Sequence, residues 1–256
     1  MKEMNSIYIL SILGAKEWMR LKFFHLVIFA AILFILFSHL LSSLTFAVQE
    51  RLLFDFGLAG LELGLVFISC LIGSHSIHRE IERKTLFVLL ARPIPRWHIV
   101  MGAWGSLIFL NLIFYFGFSL SFLTSSGFWT LFSGFAISSL TSVLKSFVIA
   151  SFALCMGLLV RPILALGTAI SYWILCYSIP DIKYFAEKLN NPNLTAAVDI
   201  LDKITPQFYR MNWKSYYFVT NPVGSSQVGW AVAHCLAWTC AWLFLASLFF
   251  QRKEVV

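Results

Sequence analysis

Long apolar runs are the feature that most constrains how this chain can fold. A helix needs about 20 mainly apolar residues to cross the hydrocarbon part of a bilayer. Runs of about that length recur along the chain, at residues 23–47, 56–77, 99–123, about 140–160, 163–179 and 230–250. The start of the fourth is the least defined, because the residues before it are also apolar. The sequence therefore predicts an all-α, polytopic membrane protein with six transmembrane helices, folded as a single transmembrane domain over residues 1–256.

The composition agrees with that prediction and narrows the function. Charged residues make up 12% of the chain, about half the share typical of soluble domains. The net charge is +7, but the Lys and Arg residues mark the ends of apolar runs and do not cluster on a solvated face. We therefore expect no nucleic-acid partner. The five cysteines all fall within apolar runs without a Cys-x-x-Cys pair, which indicates small apolar packing residues.

The positions of the basic residues predict the orientation. Lys and Arg accumulate in the cytoplasmic loops of membrane proteins. Here they precede the first run, separate the second from the third and the fourth from the fifth, and follow the sixth. The alternate loops carry fewer, apart from the long segment 181–228, in which acidic residues balance them. We expect both termini to be cytoplasmic, in a multi-pass protein of a plasma membrane such as the bacterial inner membrane.

Two segments are not simple spans. Residues 1–22 predict an interfacial helix, because one face collects apolar and small residues at helical spacing: Met4, Ile7, Tyr8, Ser11, Ala15, Trp18 and Leu21. That surface could also contact a cytoplasmic partner. Residues 181–228 predict an extracytoplasmic segment. It contains a helix at 194–204 and enough aromatic rings to lie on the membrane surface or dip into it.

The densest charge lies between the second and third runs, from His75 to Arg96. Glu80 and Lys84 form an i,i+4 pair with the acid on the N-terminal side, which is the favourable order. Pro93 and Pro95 would end a helix, because proline lacks the backbone N–H. The pattern predicts a short amphipathic helix at the cytoplasmic surface, although an ordinary basic loop would also fit.

This segment resembles a known family. The pattern Glu80-x-Glu82-x-x-Thr85-Leu-x-x-Leu89-Leu-x-x-Pro93-x-x-Arg96, followed by Gly102, is similar to the loop between the second and third spans of type-two ABC exporter permeases. The family includes bacterial multidrug and copper-processing permeases. Six spans, an N-terminal interfacial helix and a long outer segment before the last span also match. Gly102-Ala103 departs from the Gly-Lys that the family often has there.

The resemblance implies a function. In that family the loop is a coupling helix, here residues 78–96, which docks on a separate cytoplasmic ABC ATPase. It implies a dimer, for which a homodimer is the simpler arrangement and a heterodimer remains open, with export driven by ATP and Mg on the partner. This chain has no phosphate loop and would itself bind no cofactor. The residues that would form the ATPase-coupling interface are Arg79, Glu80, Glu82, Arg83, Thr85, Leu86 and Arg96.

Two ionisable residues fall within the predicted spans. Glu62 lies in the second and Lys145 in the fourth. A charge near the bilayer centre costs about 2.5–3.5 kcal/mol, so such groups usually face protein or water. We regard both as candidates for a substrate path. Alternatively, Glu62 reaches the headgroups from the outer end of its span, and Lys145 extends to the interface. Nothing in the sequence pairs one with the other.

Other functional classes have less support. The spans lack the paired acids, nucleophile–base pairs and metal clusters that intramembrane enzymes need. His75 and His78 are spaced as a possible metal pair but lack further ligands at clear spacing, so we expect neither catalysis nor a metal. The remaining alternative is a non-transport membrane anchor or sensor subunit that docks a cytoplasmic protein. The substrate does not follow from the sequence.

Overall fold

The computed structural model describes residues 2–44, 49–82, 95–127, 132–189, 192–214 and 223–252, with the backbone alone at 2–6, 23, 81 and 82. These residues form eight α-helices and a 3-10 turn at Phe208–Met211, with no β-strand among them. In chain order the helices are α1 Lys2–Met19, α2 Lys22–Ser43, α3 Gln49–Glu82, α4 Arg96–Ser126, α5 Phe132–Leu159, α6 Pro162–Lys188, α7 Pro192–Ile204 and α8 Ser225–Arg252.

The predicted six spans are confirmed, since α2, α3, α4, α5, α6 and α8 are each long and apolar enough to cross a membrane. All six begin somewhat earlier than predicted, and the difference is largest for two of them. α3 starts at Gln49 and α5 at Phe132, because the residues before positions 56 and 140 still favour a helix. At 1.5 Å per residue, the 34 residues of α3 span about 50 Å. That length exceeds the roughly 30 Å of hydrocarbon.

α3 and α5 form the centre of the bundle, and small residues let them approach closely. A Cβ on Gly157 of α5 would lie 2.6 Å from the Ser74 carbonyl oxygen of α3, and one on Gly73 would lie 2.8 Å from the Ala153 side chain. Close approach through small residues is the usual way that membrane helices associate. α3 and α5 run in the same direction, because α4, which lies between them in the sequence, crosses the bundle in the opposite direction.

Contacts between helix ends define the two faces of the bundle. At one face, Arg79 near the end of α3 pairs with Glu17 of α1 at 3.2 Å, and Arg96 at the start of α4 bonds the Gln251 carbonyl of α8 at 3.2 Å. We call this the terminal face. At the opposite face, which we call the far face, His39 of α2 bonds Ser125 of α4 at 3.1 Å.

α1 packs along the terminal end of α4. Gly102 and Gly105 of α4 lie against Leu10 and Ser11 of α1, and Trp18 of α1 is buried. Ala15 is buried as well, so the predicted face of α1 does turn toward protein in its second half. Tyr8, predicted on the same face, is 67% exposed, because the packed stripe continues through Leu10 instead. Whether α1 lies in the membrane interface remains a prediction.

α6 extends beyond the fifth predicted run. The run ends at 179, before Pro180, but the helix continues through that proline to Lys188. The extension is held by α7, since Lys183 pairs with Asp199 of α7 at 2.7 Å and Ala186 packs with Val198. These contacts compensate for the loss of the backbone hydrogen bond that Pro180 cannot donate. The predicted helix at 194–204 is present as α7.

Candidate functional site: a buried charge cluster

Glu62 lies deep within the bundle. It is part of α3 and only 2% exposed. The sequence left open that it reaches the outer headgroups. The burial of the side chain contradicts that alternative, because a carboxylate that reached the headgroups would be exposed. At 1.5 Å per residue, the carboxylate lies about 20 Å from the far end of the helix. A buried carboxylate at that depth requires a partner inside the protein.

Lys145 supplies that partner. It lies near the middle of α5 and has no exposed surface, so it does not extend to the interface. Its ammonium nitrogen lies 3.4 Å from Glu62 Oε1. Thus the structure brings together the two sequence candidates, which belong to different spans and lie far apart along the chain.

The register of the two helices explains this meeting. Glu62 faces Lys145, and Ser74 faces Gly157, with the same sequence offset in both cases. The two contacts are about 18 Å apart along each helix. A constant offset over that length means that α3 and α5 are packed in parallel with little relative slip. The ion pair therefore joins two helices that are also locked by close backbone packing.

Two further residues complete the cluster. Tyr177 of α6 donates its hydroxyl proton to Glu62 Oε1 and accepts a hydrogen bond from Lys145. The Lys145 ammonium also lies 4.8 Å from the centre of the Tyr177 ring. Lys214 approaches from the segment after α7 and places its nitrogen 3.0 Å from Glu62 Oε2. Each carboxylate oxygen of Glu62 thus faces a different lysine.

Lys214 reaches the cluster because the chain after α7 folds into the bundle. Phe208 and Met211 of the 3-10 turn are fully buried, and Trp213 is 4% exposed. The Trp213 carbonyl accepts a bond from Ser138 of α5 at 3.4 Å, and Met211 contacts Cys235 of α8 at 3.5 Å. Residues 205–214, which we call the inserted segment, therefore pack into the helix bundle, while the predicted contact of this region with the membrane surface stays a prediction. Tyr216, Tyr217 and Phe218 lie outside the described residues.

Charges of alternating sign lead from the far face to the cluster. Arg51 pairs with Asp55 at 3.8 Å on the partly exposed first turns of α3, and Asp55 is within electrostatic reach of Lys214. Positions 51, 55 and 62 share one face of α3, because helical side chains that lie about one or two turns apart align. The order is therefore Arg51, Asp55, Lys214, Glu62 and Lys145. Exposure falls along it, from 52% for the Arg51 side chain to 1% for that of Lys145.

A cavity of about 360 Å³ opens beside the inserted segment, lined by Arg210, Trp213, Ser226, Gln227 and Trp230. Arg210 packs against the Tyr209 ring at 5.7 Å and donates to its hydroxyl. The mouth of this cavity is thus cationic and aromatic.

The predicted ATPase-coupling residues lie at or near the terminal face where they are described. Arg79 stacks on Trp18 at 5.0 Å in addition to pairing with Glu17, and Glu80 is partly buried near Glu17. Arg96 binds the last carbonyls of α8. The Glu82 side chain, Arg83, Thr85 and Leu86 lie outside the described residues, as does the rest of the predicted coupling helix through residue 94. The role of these residues stays a prediction.

The possible histidine pair has local partners. His75 Nδ1 lies 2.9 Å from the Leu71 carbonyl and 3.0 Å from the Ser74 hydroxyl. Among the described residues, no group of three His, Cys, Asp or Glu side chains could hold a metal ion. His234 of α8 stacks on Trp230 at 4.7 Å and accepts a bond from the Gln207 amide at 3.4 Å, which is a packing role.

The fold and the cluster define a class of protein: a multi-pass helical membrane protein with an ionic network buried between its helices. Comparison with known families then identifies it more closely. The family model described as "ABC-2 family transporter protein" matches residues 59–255, about three quarters of the chain, so the chain belongs to that family. It is accordingly a membrane component of an ABC transporter, a transport subunit and not a catalytic one. No individual curated protein matches the chain.

Proposed function

We propose that this protein is the permease subunit of an ABC exporter, driven by a separate cytoplasmic ATPase that binds the ATP and Mg. The observation that carries the proposal is the family match. It covers α3 from residue 59, the connection between α3 and α4 at residues 83–94, and every later element. We call residues 83–94 the charged segment. The charged segment is the part that resembles the coupling helix of such permeases, and it is included in the match.

The distribution of charge supports a cytoplasmic terminal face. The described basic residues of the helix ends at this face are Lys2, Lys16, Arg20, Lys22, Arg79, Arg96, Arg161 and Arg252. The sequence has three more between α3 and α4 and one after α8, namely Arg83, Lys84, Arg92 and Lys253. Far-face basic residues are fewer and are mixed with acids. The positive-inside rule favours this orientation, with both termini in the cytoplasm of a cell such as a bacterium.

The terminal face has contacts suited to transmitting motion. Arg79 joins α3 to α1, and Arg96 joins α4 to α8. These two arginines flank the charged segment, so a movement of that segment would reach four helices directly. We propose that Arg79, Glu80, Glu82, Arg83, Thr85, Leu86 and Arg96 form or brace the ATPase interface. A second copy of the chain completes the permease as a homodimer.

The buried cluster is the proposed substrate path. Glu62 and Lys145 are buried between helices that are long and apolar enough to cross the membrane, so a path through the bundle could pass beside them. Burying an ion pair is seldom worth its desolvation cost for stability alone, since apolar residues of similar size often serve as well or better. A functional role for the cluster is therefore the more economical explanation. The alternating charges toward the far face support a path that continues to that side.

The experiment is purification of the tagged protein from its native membrane in mild detergent, with mass spectrometry of the bound proteins. We expect a phosphate-loop ATPase in near-equal amount, lost in the variant Glu80→Ala/Glu82→Ala. The matched control removes two exposed acids at the far face, Asp181→Ala/Glu187→Ala, and should retain the ATPase. Thermal unfolding of both variants checks that they remain folded.

The outcomes separate the two functional classes. Loss of the ATPase in the terminal-face variant, with retention in the control, supports the permease. Recovery of another cytoplasmic protein in place of an ATPase, under conditions that preserve other membrane complexes, contradicts it and favours the anchor or sensor function. Mass measurement of the purified complex reports whether it contains two copies of this chain.

A further inference from the structure

We infer that Glu62 is the binding residue for a cationic group of the transported molecule, and that Lys214 occupies this position in the present conformation. The inference rests on the proposed function and specifies its substrate class. A primary ammonium or a similar organic cation, attached to an apolar body, is the group that the cluster would take. The argument depends on how differently the two lysines are held.

Lys145 is a fixed part of the site. It has no exposed surface and lies on a helix that is packed against α3 over a long, constant register. The Tyr177 hydroxyl also accepts a hydrogen bond from it. Removing Lys145 from Glu62 would require the two central helices to separate. The Oε1 side of the carboxylate is therefore permanently occupied.

Lys214 is held in a different way. Its side chain is 23% exposed, and it belongs to the inserted segment, not to a membrane-spanning helix. It can return to water by a movement of that segment, so its charge need not remain buried. Glu62 Oε2, which faces Lys214, is thus the acceptor that can change its partner. With Lys214 withdrawn, Oε2 is left without this cation in a buried site.

Exchange of one cation for another avoids an uncompensated buried charge. An ammonium that replaces Lys214 on Oε2 restores the same arrangement of charges, and Lys214 becomes solvated. A neutral molecule would leave Oε2 unpaired, which is costly in a buried site. The surroundings are aromatic, because Phe208 lies 6.2 Å from the Tyr177 ring and Trp213 is buried beside Lys214. Rings of this kind favour organic cations through cation–π contacts.

Arg210, at the mouth of the cavity, affects the side from which a cation can approach Glu62. It lines the cavity beside Trp213 on the far side of the cluster. A guanidinium there opposes the approach of cations from the far face. Two acids near this route already have partners, since Asp55 pairs with Arg51 and Asp202 accepts a hydrogen bond from the Tyr209 hydroxyl, to which Arg210 donates. The electrostatics therefore favour Glu62 over the mouth as the place where a cation rests.

The first test is chemical rescue of the full-length protein, purified without any ATPase. Lys214→Ala removes the internal cation. We expect a lower unfolding temperature than wild type, and a saturable rise of about 3 °C or more with millimolar n-butylammonium chloride. Sodium chloride at equal ionic strength and sodium butyrate should give no comparable rise. Lys203→Ala, which removes an exposed lysine of α7, should show neither the loss nor the rescue.

The double variant Lys214→Ala/Glu62→Gln identifies the acceptor. If butylammonium binds Glu62, this variant should lose the rescue. A rescue that survives in the double variant, or that butyrate produces instead, overturns the assignment; the butyrate result would indicate an anion site at the mouth. Absence of any rescue in Lys214→Ala also overturns it. None of these outcomes depends on whether an ATPase partner exists.

The second test uses the complex with its ATPase in lipid nanodiscs. Dodecylamine should change the rate of ATP hydrolysis by at least twofold with the wild-type permease but not with Glu62→Gln, and laurate should have no such effect. If the complex forms but laurate acts and dodecylamine does not, the cation assignment fails while the permease stands. If rescue succeeds but no ATPase is found, the cation site stands without the proposed coupling.

Discussion

The pairing of Glu62 with Lys145 predicts a large and specific effect on stability. Lys145 lies near the middle of α5, which places it about 20 Å from either end of the helix. Its side chain is far too short to reach water in either direction. If Glu62 is replaced by Gln, Lys145 must remain buried without a full counter-charge. Removing one partner of a buried ion pair typically costs about 3–5 kcal/mol.

The magnitude can be followed through thermal unfolding. For chains of this size, 1 kcal/mol corresponds to about 2–4 °C, so Glu62→Gln should lower the unfolding temperature by about 6–20 °C. Lys145→Met, which keeps the length of the side chain, should have a similar cost because it removes the inner partner of Glu62. The double variant Glu62→Gln/Lys145→Met should be more stable than either single variant, because no unpaired charge remains at the centre. Lys214 can then turn to water, since its side chain is already partly exposed.

Tryptophan fluorescence during heating provides the assay, with the protein in one detergent or nanodisc throughout. The control is the pair Lys183–Asp199, which is shorter at 2.7 Å but has side chains 42% and 46% exposed. Lys183→Met should lower the unfolding temperature far less than Glu62→Gln, because exposed ion pairs contribute little to stability. The reasoning is refuted if the unfolding temperature of Glu62→Gln is indistinguishable from that of wild type, or if the double variant is less stable than both single variants.

Two other predictions test the packing and the terminal face. Gly157→Ala should destabilise the protein strongly, because its Cβ would lie 2.6 Å from the backbone oxygen of Ser74. Gly167→Ala is the control and should be neutral or stabilising, since nothing lies within 4 Å of its Cβ. Thermal unfolding compares the two variants directly, and equal effects would contradict the α3–α5 packing. Arg96→Gln should loosen the end of α8 by removing the charged donor to the Gln251 carbonyl, a loss of about 0.5–1.5 kcal/mol, because this bond is exposed to solvent. Hydrogen exchange of residues 245–252 measures this fraying, and Arg161→Gln serves as the control; unchanged exchange in Arg96→Gln would contradict the contact.

The sequence predicts the spans well because the signal is local. A run of about 20 apolar residues has few other stable outcomes, and six such runs give six helices. The predicted ends are less accurate. α3 begins before its run because Gln49, Glu50 and Arg51 are compatible with a helix that projects beyond the hydrocarbon. α6 passes Pro180 because α7 packs against its extension, which no local pattern announces.

The cluster could be predicted only in part. Glu62 and Lys145 are conspicuous as charges within apolar runs, and the structure places both in the cluster. Their pairing depends on which helices are neighbours and in what register, and this information is not local. Tyr177 has no signal of its own in an aromatic-rich chain. Lys214 has a weak one, since it lies among the rings of a segment whose composition suggested contact with the membrane.

The position of α3 determines which of the two lysine contacts of Glu62 can break. One end of this helix leads into the charged segment at the terminal face, and Glu62 lies about 30 Å before that end. A displacement of the charged segment would therefore be carried by a single helix to Glu62. α5 would move with α3, because Gly157 of α5 lies against the Ser74 backbone of α3, so Lys145 would keep its place on the carboxylate. Lys214 belongs to the inserted segment, which α8 also holds through Met211 and which has one long bond of 3.4 Å to α5, so its contact of 3.0 Å is the one that would lengthen. Since Coulomb attraction falls as the inverse of distance, a relative shift of about 1 Å would remove about a quarter of it before any water enters. Motion at the terminal face would thus release Lys214 and leave Lys145, as exchange at Glu62 Oε2 requires.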